Sequence, residues 1–197
     1  STDRWASRVL LLVGPKGSGK THLSTVWSKE HKAKHLKLEA VLLEMEKGLN
    51  HELVCIEDID IIEKAERQKK SKIEEGIFHL INSIGSRGGK LLISSKKMPN
   101  SLSLGLKDLV SRLQSFSSAN IKEPDDSLVM ALLLKYFNDR QIYIKHSNLD
   151  YIAARINRTY RSIYEFVNYL DHKSLALNTK VTRPFIDSAL NKIEKTY

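Results

Sequence analysis

The sequence holds a single cysteine, Cys55, so no intramolecular disulfide can staple it. Its place inside the apolar run Leu53-Val54-Cys55-Ile56 marks it as a small buried residue rather than a redox centre. Long hydrophobic runs are missing too: no stretch approaches the roughly 20 apolar residues that a membrane-crossing helix needs. The opening STDRWASR has neither the apolar core nor the cleavage pattern of a secretory signal. The expected location is therefore the cytoplasm, without membrane contact. Aromatic residues make up 7% of the chain, and Trp5, Trp27 and the tyrosines lack the spaced aromatic-plus-basic pattern of a single-strand nucleic-acid platform. Negative charge is the scarcer sign, with 23 Asp and Glu against 32 Lys and Arg and a net charge of +9. That balance favours an acidic protein surface or non-specific contact with DNA. The charges are spread out, however, and the densest run, Glu63 to Glu75, mixes both signs as a solvated loop or helix face does.

What is present is enough apolar residue, 41% of 197, to bury a sizeable core in one large or two small domains. Up to about Asn120 short β-like runs alternate with helical stretches, the pattern of a parallel sheet flanked by helices. RVLLLVG, LVCIED and KLLISSK read as strands, HLKLE and the stretch from Phe116 to Ile121 as weaker ones. Thr21 to His31 and Gly76 to Ser86 read as helices, the second with Ile77, Phe78, Ile81 and Ile84 on one face. After Pro124 the strands stop. Asp125 and Asp126 look like a helix cap rather than a pair of acid–base carboxylates, with Leu128, Ala131, Leu132 and Tyr136 following at helical spacing. Ser147 and Asp150 form a capping-box pattern ahead of Leu149, Ile152, Ala153 and Ile156. Ile163, Phe166, Val167 and Leu170 mark the next helix, and Thr182 and Pro184 open a last one that buries Phe185, Ile186, Ala189, Leu190 and Ile193. The expectation is an α/β domain over residues 1–122 and a small all-α domain over 123–197.

The most specific segment is Gly14-Pro15-Lys16-Gly17-Ser18-Gly19-Lys20-Thr21, which fits G-x-x-x-x-G-K-[ST] between a strand and a helix. Its glycines allow successive backbone amides to turn inward around phosphate oxygens, and the helix starting near Lys20 adds its partial positive end. Lys20 would reach the β- and γ-phosphates of ADP or ATP, and the Thr21 hydroxyl would ligate Mg²⁺. His22 belongs to the nucleotide-binding stretch as a helix residue rather than a catalytic base. Such a loop works with an acidic strand end, and LVCIEDID supplies Glu57 and Asp58. The common order is an Asp beside Mg²⁺ followed by a Glu that polarises the attacking water; here the two types are exchanged. Glu57 is assigned to the metal through water and Asp58 to the water nucleophile, each with the wrong reach by one methylene. His31 and His35, four apart, have no acidic or cysteine partner and are read as a solvated pair rather than metal ligands.

The ordered succession of GPKGSGKTHL, IEDID, FHLINSI, LLISSKKMP, LKDLVSRL, PDDSLVMALLLKYFNDRQI, RINRTYRSIYEFVNYLDHKSL and VTRPFIDSAL, from about Val9 to Leu190, resembles the Hda proteins, paralogues of DnaA in the AAA+ superfamily. The resemblance implies an AAA+ sheet with a helical lid, bound ADP or ATP with Mg²⁺, and a regulator of replication initiation that stimulates ATP hydrolysis by DnaA together with the sliding clamp. By the same resemblance, Arg112 matches the arginine finger offered to a neighbouring subunit, which also implies self-association as an option. Arg161 matches the arginine that reaches from the lid to the chain's own nucleotide. The sensor position at the end of the fourth strand falls on Ser95 or on Lys96, depending on where the motif is anchored. DnaA continues into an origin-binding helix-turn-helix; the sequence here stops after the lid, so sequence-specific DNA reading is not expected. The clamp-binding motif and adenine-holding segment of Hda proteins do not stand ahead of the first strand, and the expectation is that the sequence is trimmed there. A loader or transposition-helper ATPase of the same superfamily, bound to DNA and switching by its own ATP cycle, is the alternative.

The exchanged carboxylates predict tight nucleotide binding with slow intrinsic turnover. A steady-state ATPase assay on the isolated protein is expected to give a rate far below that of motor ATPases; a comparable rate would overturn the assignment.

Overall fold

The computed structural model describes residues 5, 7–48, 51–177 and 179–194, without the side chains of 193 and 194. The predicted burial of Ile193 thus lies outside the described residues. The chain divides into two compact units, Ser1–Ile121 and Lys122–Tyr197.

The first unit is a five-stranded sheet in the order β2-β3-β4-β1-β5, from β1 (Val9–Val13), β2 (Lys34–Lys37), β3 (Leu53–Glu57), β4 (Lys90–Ser95) and β5 (Ser117–Asn120). Every neighbouring pair is parallel. The three central strands are near-continuous apolar runs, because a parallel sheet is covered on both faces. Val9, Leu11, Val13, Val54, Ile56, Leu91 and Ile93 point to one side. Leu12, Cys55 and Leu92 point to the other, where Trp27 covers them. Trp27 belongs to α1 (Lys20–Glu30), whose buried positions are Lys20, Ser24 and Ser28. Small side chains at that spacing let the helix lie close on the strands.

On the opposite face lie α2 (Val41–Glu46), α3 (Arg67–Ser86) and α4 (Lys107–Ser115), contributing Val41, Ile73, Ile77, Leu80, Ile84, Leu109 and Leu113 to the core. The sequence reading started α3 at Gly76. It begins nine residues earlier, so part of the mixed-charge run is helix, and Ile73 and Glu74 of that run are buried. Periodicity missed this because the first turns of α3 carry four cations and only one core contact.

The second unit packs α5 (Asp126–Asp139), α6 (His146–Ala153), α7 (Tyr160–Leu177) and α8 (Arg183–Glu194) around Phe137, Ile152, Ile163, Phe166, Leu170 and Ile186. Asp125 caps α5 as expected, its carboxylate accepting the Leu128 N–H at 2.8 Å. Its hydrogen bonds from Leu128 and Ser127 hold the Asp125 carboxyl below the usual carboxylate range. The face of α5 differs from expectation. Val129, Leu133 and Phe137 are buried, while Leu128 and Ala131 are exposed. The capping box does not form either: α6 starts after Lys145 without a side-chain cap, and Asp150 pairs with His146 Nδ1 at 3.1 Å. Among the described residues no helix is long and apolar enough to cross a membrane.

Two outcomes follow from the packing. Phe166→Ala, which empties the centre of the helical core, is expected to cost about 3–5 kcal/mol in denaturant unfolding. Burial pushes the Cys55 thiol up to about 11 from 9.0. The folded state therefore keeps a proton that the unfolded chain releases first, and stability is expected to fall as pH rises through that window. A Cys55→Ala variant should show a flatter alkaline decline in a urea titration series.

Candidate functional site: the phosphate loop and its surroundings

The loop after β1 is positioned from two sides. The Gly14 N–H donates to the Ser95 carbonyl at 3.1 Å, tying the loop to the end of β4, and the Ile121 N–H donates to the Val13 carbonyl at 2.7 Å. A Cβ on Gly14 would stand 2.8 Å from Ser18 Oγ and 2.9 Å from Ile121 Cβ, so only glycine fits there. Gly17 and Gly19 have φ of 86° and 85°, left-handed values that turn the amides inward. Gly19 is also the residue before α1, which carries no acidic residue in its first turn. Its positive end thus faces the loop uncompensated.

Lys20 is buried and donates from Nζ to the Gly14 carbonyl at 2.7 Å and to the Pro15 carbonyl at 2.8 Å. Burial lowers its pKa; Asp58 works against that shift and Lys96 adds to it. A cavity of about 340 Å³ opens over this loop. Lys16, Gly17, Gly19, Lys20 and Thr21 form one wall, and Asp58 and Lys96 the other. Ser18 Oγ is buried without a hydrogen-bond partner among the described residues. Left-handed glycines, a bare helix N-terminus and two loop lysines make a donor set suited to phosphate oxygens.

The acidic strand end splits. Glu57 leans towards β2, with Oε1 at 3.4 Å from His35 Nε2. That oxygen is buried and the approach lacks hydrogen-bond geometry. Glu57 does not line the cavity. Asp58 does, because its backbone turns into the left-handed region, φ 50° and ψ 53°, while its N–H is taken by Ser94 Oγ at 3.0 Å. At the end of β4 the two candidate side chains part as well. Ser95 Oγ turns back to its own chain, donating to the Lys97 carbonyl at 2.7 Å and accepting the Lys97 N–H. Lys96 faces the cavity. Its Nζ lies 3.4 Å from Asp58 and 3.3 Å from Asp60. Burial alone would lower the Lys96 pKa, but Asp60 and Asp58 outweigh it and raise the value.

A Mg²⁺ ion at a phosphate loop draws on a hydroxyl, one carboxylate, phosphate oxygens and water. The carboxylate on this cavity, Asp58, already carries the Lys96 ammonium. Thr21 remains at the cavity wall. His22 is exposed on α1 and does not line the cavity. His31 lies against Trp27, ring centroids 5.7 Å apart, so it shares no face with His35 on β2.

Arg112 stands exposed on α4, its guanidinium 5.8 Å from the centre of the Phe78 ring, and does not line the phosphate-loop cavity. Its helix is clipped to α3 by Glu74, a buried carboxylate that accepts the N–H groups of Gly105 at 3.0 Å and of Leu106 at 2.7 Å. Glu74 thereby caps α4 from another helix, which no spacing along the sequence signals. Arg161 stands on α7 of the helical unit, donating from Nε to Glu165 Oε1 at 2.7 Å.

Comparison with known proteins adds the following. The Hda lid domain family matches residues 125–190. An uncharacterised protein of Haemophilus influenzae is 30% identical over 192 residues, spanning 90% of this chain and 79% of that protein. Domain III of the Thermotoga maritima replication initiation protein DnaA superposes with a TM-score of 0.77 at 20% identity, over 96% of this chain and 85% of that one. AMPPCP-bound DnaA from Aquifex aeolicus superposes at 0.65 with 17% identity, over 85% of this chain and 56% of that one.

Glu74→Ala leaves the Gly105 and Leu106 amides without their buried acceptor and is expected to destabilise the first unit by about 2 kcal/mol in thermal unfolding.

Proposed function

The chain belongs to the Hda-like, DnaA-related proteins of the AAA+ superfamily, and from that premise we propose that it is a nucleotide-binding regulator whose Arg112 completes a hydrolytic site on DnaA. The observation that carries this reading is the separation of Arg112 from the chain's own phosphate loop: it projects from α4 outside the cavity. A guanidinium so placed is accessible to another protein's nucleotide. There its fixed positive charge would offset the charge that grows on the γ-phosphate oxygens as water attacks and ADP leaves. Phe78 beneath and Glu74 behind hold the arginine's helix in place before any partner arrives, which limits the ordering cost of docking.

In this reading the chain's own loop holds an adenine nucleotide, ADP or ATP, as a folding and docking element. The AMPPCP bound to the Aquifex aeolicus DnaA supports this choice of ligand. Gly14 to Thr21 supply the backbone cradle, and Lys20 swings from its loop carbonyls to the phosphates. Asp58 orients water weakly at best with Lys96 beside it, which suits a protein that stimulates hydrolysis elsewhere. DnaA is the proposed partner, with the sliding clamp as the platform that presents both.

Two measurements test this. Lys20→Ala is expected to weaken ADP binding about 100-fold by calorimetry, through loss of charge-assisted contacts to phosphate. Arg112→Ala is expected to cut stimulated hydrolysis by ATP-bound DnaA on a DNA-loaded clamp about 10³-fold. Full stimulation by that variant would remove Arg112 from the mechanism.

A further inference from the structure

The wall opposite the phosphate loop is built around one cation, Lys96. Asp60 holds this residue at both ends: Oδ1 accepts its backbone N–H at 2.9 Å and Oδ2 its Nζ at 3.3 Å. The Asp60 side chain is only 11% exposed, so this end of the clamp is sheltered, while the Lys96 side chain stays about a third exposed on the cavity side. Asp58 completes the seat, with Oδ1 at 3.4 Å from the same Nζ. The direction of Asp58 is itself fixed by its left-handed backbone and by the Ser94 hydroxyl on its N–H. Two carboxylates from the segment after β3 thus aim an ammonium from the end of β4 at the cavity over the loop.

This arrangement consumes the carboxylate on which a divalent ion would rely. A metal brought to Asp58 would meet an ammonium already in contact with it, and Glu57, the alternative carboxylate, is turned to His35. The two aspartates keep Lys96 protonated against the pull of burial. The cavity then presents Lys16, Lys20 and Lys96 to an anionic ligand, with Asp58 as the lone carboxylate on its wall. Lys16 and Lys20 bring positive charge to phosphate oxygens, and Lys96, its charge offset by Asp58 and Asp60, brings N–H donors held where a metal would otherwise stand.

We propose that Lys96, seated by Asp58 and Asp60, takes the place of the divalent cation at this site, so that the loop binds a nucleoside diphosphate without needing Mg²⁺. The proposal rests on the nucleotide-binding reading above and concerns how that ligand's charge is met. Lys96 is a specificity-setting residue here: it selects the metal-free form of the nucleotide and holds the acidic strand end away from metal chemistry.

The test is calorimetric titration of ADP into the wild-type chain, with magnesium in excess and with EDTA, repeated for Lys96→Ser and for Lys96→Ser combined with Asp58→Asn. Wild-type affinity is expected to change by less than about threefold between the two conditions. Lys96→Ser should bind about 10- to 100-fold more weakly in EDTA, and magnesium should restore much of the loss because Asp58 becomes available to the ion. The double variant should lose that rescue. A wild-type affinity that collapses on chelation overturns the proposal while leaving nucleotide binding intact. Lys96→Ser binding as tightly as wild type in EDTA also overturns it. Absence of ADP binding by wild type in both conditions sinks the nucleotide reading together with this inference. Should Lys96→Ser fail to fold, the wild-type comparison alone still decides the metal question.

Discussion

The in-register parallel pairing of β1 with β4, from Val9 opposite Leu91 to Val13 opposite Ser95, is the constraint on which the site depends. Parallel strands that start together end together, so the phosphate loop leaves β1 beside the residues that leave β4 and, one strand further, β3. The Gly14 to Ser95 hydrogen bond extends that ladder by one step beyond the strand. Without this pairing, Lys96 and Asp58 would have no fixed relation to Lys20. The apolar residues that bury the sheet thus also set the distances among charges at its carboxyl edge, where ligands of open α/β sheets bind.

Electrostatics at that edge is a matter of competition. Lys20 loses solvation by burial and finds loop carbonyls instead. Lys96 loses solvation too but is compensated by two carboxylates. The buried lysine is therefore the one ready to change partners, and the seated lysine the one that stays put. A site with one mobile and one fixed cation can close on phosphate through a side-chain rotation, with the backbone cradle already in place.

Much of the α/β unit was legible in the sequence because its signals are local and contiguous. The glycine loop, the apolar central strands and the helix after Lys20 can each be read within about a dozen residues, and Asp125 declares itself as a cap by its neighbours alone. What stayed hidden depends on contacts between distant segments. Whether Ser95 or Lys96 faces the cavity is decided by the Ser95 hydroxyl turning to Lys97 and by Asp60, 36 residues away, seizing Lys96. The third acid of IEDID, Asp60, was visible but had no assigned role, since spacing cannot show which carboxylate clamps a lysine from another strand. Glu74 was lost in a run of mixed charge for the same reason. In α5 the difference is one of phase: Leu128, Val129, Leu132, Leu133, Leu134 and Tyr136 offer more than one apolar stripe, and packing into the helical core against α6 and α7 chose Val129, Leu133 and Phe137.

The placement of the indoles has a practical consequence. Trp5 and Trp27, the two tryptophans of the chain, stack with ring centroids 5.3 Å apart on the outer side of the sheet. Intrinsic emission therefore views a single corner of the α/β unit. The helical unit, whose aromatic rings are tyrosines and phenylalanines, unfolds optically unseen at indole wavelengths.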